Sequence, residues 1–244
     1  MNRTRRHLLC APLFATLPAL AMPPTVPLRM VVVDLMPWGG RNADGQLAGV
    51  AVDLASQLSS LSGLPITTTA VPYARAIAML AGGTADLMLA IDASTGQTRP
   101  PLATLGTEDV VVVGRRGTRY TRMEALCGRR VALLRRASFA GSLHTCIARY
   151  ETSSYEQGLR MLLQGRLDGV AGVRASMDYA IRHLGHKPAD FGAPLVVGQA
   201  DLCLYLSQQT ATPAITTRLR QACAQLLLQK QMPALLAQYR QISD

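Results

Sequence analysis

The chain has 244 residues, 49% hydrophobic and 16% charged, a globular composition that excludes a disordered or collagen-like protein. Its formal charge is +10, carried almost entirely by arginine. The arginines are spread along the sequence without a Lys/Arg-rich run, and aromatic residues make up only 5%, which argues against nucleic-acid binding.

The first residues read as a targeting segment, 1–21. Arg3, Arg5 and Arg6 precede an apolar stretch from Leu8 to Ala21 that ends in Ala19-Leu20-Ala21, a small-x-small cleavage pattern. Pro12 and Pro18 argue against a buried first helix, and the run is short for a membrane span. Thr4-Arg5-Arg6-His7-Leu8-Leu9 also resembles a twin-arginine signal, so export to the periplasm by either the Sec or the twin-arginine route is expected. Cleavage takes three arginines from a charge of +10 and leaves +7.

Leu28–Leu35 is a Val-rich apolar run that predicts a buried parallel strand. Gly49–Leu61 has helical spacing and is stopped by Gly63 and Pro65. A strand at Ile66–Val71, a helix at Tyr73–Leu80 and a strand at Ala85–Ile91 complete a parallel-sheet rhythm. Val110–Val113 predicts a further strand. The second half repeats the rhythm, with a turn at Met123–Leu126, a strand at Arg130–Leu134, and helices at Phe139–Tyr150 and Tyr155–Leu163. Leu167–Val173 is a strand, Ser176–Leu184 a helix and Asp201–Leu206 a strand, before two closing helices at Pro213–Gln229 and Met232–Tyr239. Two α/β units imply two lobes, with the default site in the cleft between them.

In an oxidising compartment Cys127, Cys146, Cys203 and Cys223 suggest disulfides. Four cysteines allow three pairings. The sequence-local pair Cys127–Cys146 is preferred, with buried free thiols as the alternative.

The order of several motifs resembles the extracellular solute-binding proteins of family 3, the polar-amino-acid-binding group. They are Met36-Pro37-Trp38, the run Asp44–Leu54, Val71-Pro72-Tyr73-Ala74-Arg75-Ala76 and Gly83–Met88, then Ser94–Arg99, Leu126–Ala132 and Gly165–Val170. The resemblance implies a type II periplasmic-binding-protein fold: α/β, two-lobed, each lobe a sheet flanked by helices, with two crossover hinge strands. It places lobe one at 27–111 plus 206–244 and lobe two at 112–205. It further implies a monomer without a cofactor that captures a small polar or anionic, amino-acid-like ligand by hinge closure and serves an ABC-type permease or a sensor.

The site residues follow from the same resemblance. Arg99 takes the ligand carboxylate, a role suited to the planar guanidinium fork, and Ser94 adds a hydroxyl. Trp38 and Tyr73 are aromatic walls, and Arg75 is a second cation near the cleft. Arg135 and Ser138 match a carboxylate-capping loop of lobe two, in which Arg136 replaces the usual glycine. Amino-acid binders of the family carry an Asp where this chain has Val173, followed by Arg174. Either Asp92 takes over the ammonium or the ligand lacks one.

A periplasmic lyase resembling cyclohexadienyl dehydratase uses the same fold, but would need a cleft acid or base. Only Glu108 and His144 present themselves, and no paired-carboxylate or Ser-His-Asp arrangement is evident. A vestigial binding protein is a third reading. The expectation is a binding protein, not an enzyme.

Overall fold

The Val-rich run forms strand β1, Leu28–Val33, in the computed structural model, which describes residues 26–42, 44–91, 100–135, 137 and 143–241. A short ribbon follows, β2 (Gly40–Arg41) against β3 (Leu47–Ala48). Helix α1, Val50–Ser62, buries Val50, Leu54 and Leu58 at helical spacing and ends at Gly63, whose left-handed φ of 63° lets its amide bond Ser59 O. β4 (Ile66–Val71), α2 (Tyr73–Ala81) and β5 (Leu87–Ile91) complete the first unit, with β1 parallel to both β4 and β5.

Strand β6, Ala103–Gly114, is much longer than the sequence suggested. In its first half only Leu105 and Glu108 are buried and there is no continuous apolar run, so only the Val110–Val113 segment stood out. After a 3-10 turn at Met123–Leu126 come β7 (Arg130–Leu134) and β8 (Ala148–Thr152), then α3 (Tyr155–Leu163), β9 (Gly169–Val173) and α4 (Arg174–His183). The chain closes with β10 (Leu195–Leu206), α5 (Pro213–Leu228) and α6 (Gln231–Gln241). Among the described residues no helix is long and apolar enough to cross a membrane.

The helix expected at Phe139–Tyr150 is a correction. Residues 138–142 lie outside the described part, 143–147 form turns, and Ala148–Thr152 is a strand paired in parallel along all of β7. As an edge strand, β8 exposes four of its five residues, which hid the strand signal. Cys146 is bound to Cys127, and its carbonyl accepts from Gly128 N, so the segment is tied down before the strand begins.

Among the described residues, eight strands form one sheet in the order β4-β1-β5-β10-β6-β9-β7-β8. The expected two sheets are joined, because β6 and β10 lie antiparallel and pass through both halves. Each half repeats one pattern, a parallel trio ending against a long antiparallel strand.

Each half also repeats one clamp. Asp86 N donates to Arg29 O at 2.8 Å, and Arg29 N donates back to the Asp86 carboxylate at 2.8 Å. Asp168 N donates to Arg130 O at 2.8 Å, and Arg130 N donates back to Asp168 at 2.9 Å. Gly83 and Gly165, three residues earlier, turn the chain with φ of 71° and 75°, which favours glycine. The two motifs Gly83–Met88 and Gly165–Val170 are thus structural: each pins a third strand beside a first.

Candidate functional site

A cavity of about 110 Å³ lies between the two halves of the sheet. From the first half it is lined by Val33, Leu35, Tyr73, Leu89 and Ile91. These sit at the carboxyl ends of β1 and β5 and at the start of α2, where ligands of open α/β sheets bind. From the second half come Leu134, Arg135, Ala137, Tyr155 and Val173, at the corresponding strand ends and the start of α3. Parallel strands buried on both faces are built of apolar residues, so their ends deliver an apolar lining.

Tyr155 is deeply buried at the first turn of α3, where Ser154 caps the helix by accepting from Gln157 N. Burial pushes its phenol pKa well up, and its hydroxyl accepts from Val173 N at 3.4 Å. A Cβ on Gly172 would strike the Tyr155 ring, so the glycine makes room for the aromatic wall. The Tyr hydroxyl stays a neutral group on the cavity floor. Sequence reasoning read Tyr155 only as the start of a helix, although a Tyr directly after a capping serine was a usable signal.

The predicted site residues fall into three groups. Tyr73 and Arg135 line the cavity. Arg135 stands at its mouth, 71% exposed, with Nε 3.5 Å from the Glu151 carboxylate. Arg75 is exposed on α2 and does not line the cavity. Asp92, Ser94, Arg99 and Ser138, together with Arg136, lie outside the described residues.

Trp38 and Arg174 do not line this cavity. Trp38 is 5% exposed, and its Nε1 donates to Ser176 Oγ at 2.8 Å. It joins the loop after β1 to helix α4, outside the cavity lining. Arg174 follows Val173 but turns to the crossover strand, where its Nε donates to Asp109 at 3.2 Å. Asp109 also accepts from Gln199 of β10 at 3.5 Å, so the guanidinium is tied into both crossover strands.

The remaining candidates are away from the cavity. Glu108 is buried beside a different hollow with Met232, Pro233 and Leu236 of α6. His144 is exposed next to the Cys127–Cys146 disulfide, whose Cα atoms are 4.8 Å apart. Cys203 and Cys223 are buried thiols that form no disulfide, and burial pushes the Cys223 thiol up to about 11.

No protein-family model and no curated protein matches the chain. Solved structures do. The periplasmic VFT2 domain of Bordetella pertussis BvgS is 17% identical, with a TM-score of 0.72, over 87% of this chain and 92% of that domain. An ancestral amino-acid-binding protein, a precursor of cyclohexadienyl dehydratase, is 15% identical, with a TM-score of 0.70, over 88% of this chain and 95% of its own. The GluR0 ligand-binding core, solved with L-glutamate, is 12% identical, with a TM-score of 0.73, over 88% and 98%. At these identities the likeness establishes architecture, and the chain therefore has the two-lobed fold of the type II periplasmic binding proteins.

Proposed function

We propose that this chain is a periplasmic solute-binding module whose lobes, 27–111 plus 206–244 and 112–205, close around a small ligand with an apolar body and an anionic end. The observation that supports it is the cavity between the two halves of the sheet, whose described lining is mostly apolar, with Arg135 the one charged side chain and Tyr73 and Tyr155 the neutral polar ones. Its volume of about 110 Å³ suits a phenyl or branched aliphatic group, since cavities roughly of that size take up benzene. Apolar surface gains about 25 cal/mol per Å² on leaving water. An α-ammonium would meet no carboxylate among the described lining residues, and a buried cation without a partner is strongly disfavoured. Val173, in place of an acid, is part of the same pattern.

The resemblance assigns the anionic end to Arg99 and Ser94, with Arg135 adding long-range attraction. Delivery to an ABC-type permease and coupling to a sensor both use such closure. Glu108 and His144 lie away from the cavity, which favours capture over lyase chemistry.

The test is a thermal-shift series on the purified protein with aromatic and branched monocarboxylates, the matching α-amino acids, and dicarboxylates. Ligand at 100 times Kd stabilises by about 2.7 kcal/mol. Apolar monocarboxylates should stabilise most, and Arg99→Ala should abolish the shift. A preference for free amino acids would refute the proposed ligand class, and silence across all three series would refute capture of such ligands.

A further inference from the structure

Arginines scattered in the sequence converge at the end of lobe two farthest from the cavity. Arg115, Arg116, Arg119 and Arg122 lie on the segment leaving β6, all exposed. Arg129 and Arg130 open β7, and Arg166 follows the Gly165 turn that leads into β9. The strand register places these segments together, because Gly114 pairs with Gly169 and Val131 also pairs with Gly169. Side chains agree: Asp168 receives Arg115 at 3.9 Å and Arg130 at 3.5 Å, and Tyr120 donates its hydroxyl to Asp168 O at 3.0 Å. Among the described residues, seven arginines face two local acids, Asp168 and Glu124, while nearby Lys187 and Asp190 cancel.

We infer that this pole docks the protein on an anionic membrane surface by binding lipid phosphates. Guanidinium forks bind phosphate oxygens in pairs, and basic clusters are drawn to anionic bilayers. A single-stranded nucleic acid would need exposed aromatics for stacking, and the pole's Tyr120 is half-buried with its hydroxyl engaged. A protein partner would need an apolar or aromatic centre, and Leu163, 41% exposed, is the large apolar side chain the pole offers. The Cys127–Cys146 disulfide holds the segment before Arg129 against the turn that precedes β8, so the array is presented on a fixed frame. The cavity begins at Leu134, four residues along β7 from Arg130, or about 13 Å away. A docked molecule therefore keeps its cleft free to open.

The experiment is co-sedimentation of the protein with phosphatidylcholine vesicles, alone or with about 30% phosphatidylglycerol, at low salt and at about 500 mM salt, where charges are screened within about 4 Å. Binding should require phosphatidylglycerol and be lost at high salt. Arg119→Gln, Arg122→Gln and Arg166→Gln, side chains without an ion pair to Asp168, should each weaken binding about fivefold and together roughly a hundredfold. Arg220→Gln, exposed on α5, should leave it unchanged. All variants should keep the wild-type ligand-induced thermal shift. No binding to the anionic vesicles, equal binding to neutral ones, or equal weakening by Arg220→Gln would overturn the proposal. Retention of an acidic protein or a nucleic acid without vesicle binding would overturn it too. The wild-type salt response decides the matter even if the triple variant fails to fold.

Discussion

The Trp38 indole and the Ser176 hydroxyl are 2.8 Å apart and buried, 138 residues apart in sequence, one on the loop after β1 and the other on α4. The two elements belong to opposite halves of the sheet, so the bond joins the halves directly. Because Trp38 is the single tryptophan, its emission reports on this contact. Ser176→Ala leaves a buried N–H without its acceptor, which costs about 1–3 kcal/mol. Chemical denaturation should show that loss, and the native emission should shift to the red. Unchanged emission and midpoint would show that the bond contributes nothing.

Gly172 and Tyr155 make a second test. A methyl at 172 must displace the phenol ring and also crowds the Met177 tip, and overpacking of this kind costs about 1–3 kcal/mol. Gly172→Ala should lower the unfolding midpoint by that amount and weaken ligand binding, since Tyr155 lines the cavity. Tyr155→Phe keeps the shape and loses one long hydrogen bond, so its cost should stay below about 1 kcal/mol.

Acid should unfold the protein through the two clamps. Burial raises the Asp86 carboxyl, but hydrogen bonds from Arg29 and Thr210 outweigh it and hold the pKa below the usual carboxylate range. Asp168 is likewise held low, chiefly by the Arg130 amide. A carboxyl whose folded pKa is depressed stabilises fully above its unfolded pKa of about 3.9, and that contribution is lost as pH falls through the folded value. Urea midpoints should therefore decline below about pH 4. Asp86→Asn and Asp168→Asn should be less stable at neutral pH and flatter in acid; a wild-type slope in both variants would locate the acid response elsewhere.

The disulfide and the two buried thiols separate cleanly. Cys127 and Cys146 are 19 residues apart, and closing a loop of that size stabilises by about 3 kcal/mol in the chain-entropy model. Cys127→Ser with Cys146→Ser should lose about that much in a denaturant titration, and reductant should do the same to the wild type. A thiol reagent should reach Cys203 and Cys223 only after unfolding, because both are buried. Rapid labelling of either in the native protein would contradict the packing described.

Periodicity by itself determined most elements of this protein. Ile66–Val71, Arg130–Leu134 and Tyr155–Leu163 lie as read: the first is an edge strand marked by β-branched residues, the second a mostly apolar buried run, and the third an amphipathic helix whose apolar residues repeat every three to four positions. The edge strand β8 and the first half of the crossover β6 were hidden, since β8 is exposed along most of its length and β6 begins with mixed polar and apolar residues, so neither carries such a run. Tyr73 and Arg135 were legible at the cavity through motif order, whereas the Trp38–Ser176 bond and the tie of Arg174 to Asp109 were not. Those depend on which strand ends meet across the sheet, a matter of register and of how the halves close. The same folding brings arginines from 115 to 166 onto one pole. A sequence records each charge separately, while the potential a partner feels is set by distances that only the tertiary structure supplies.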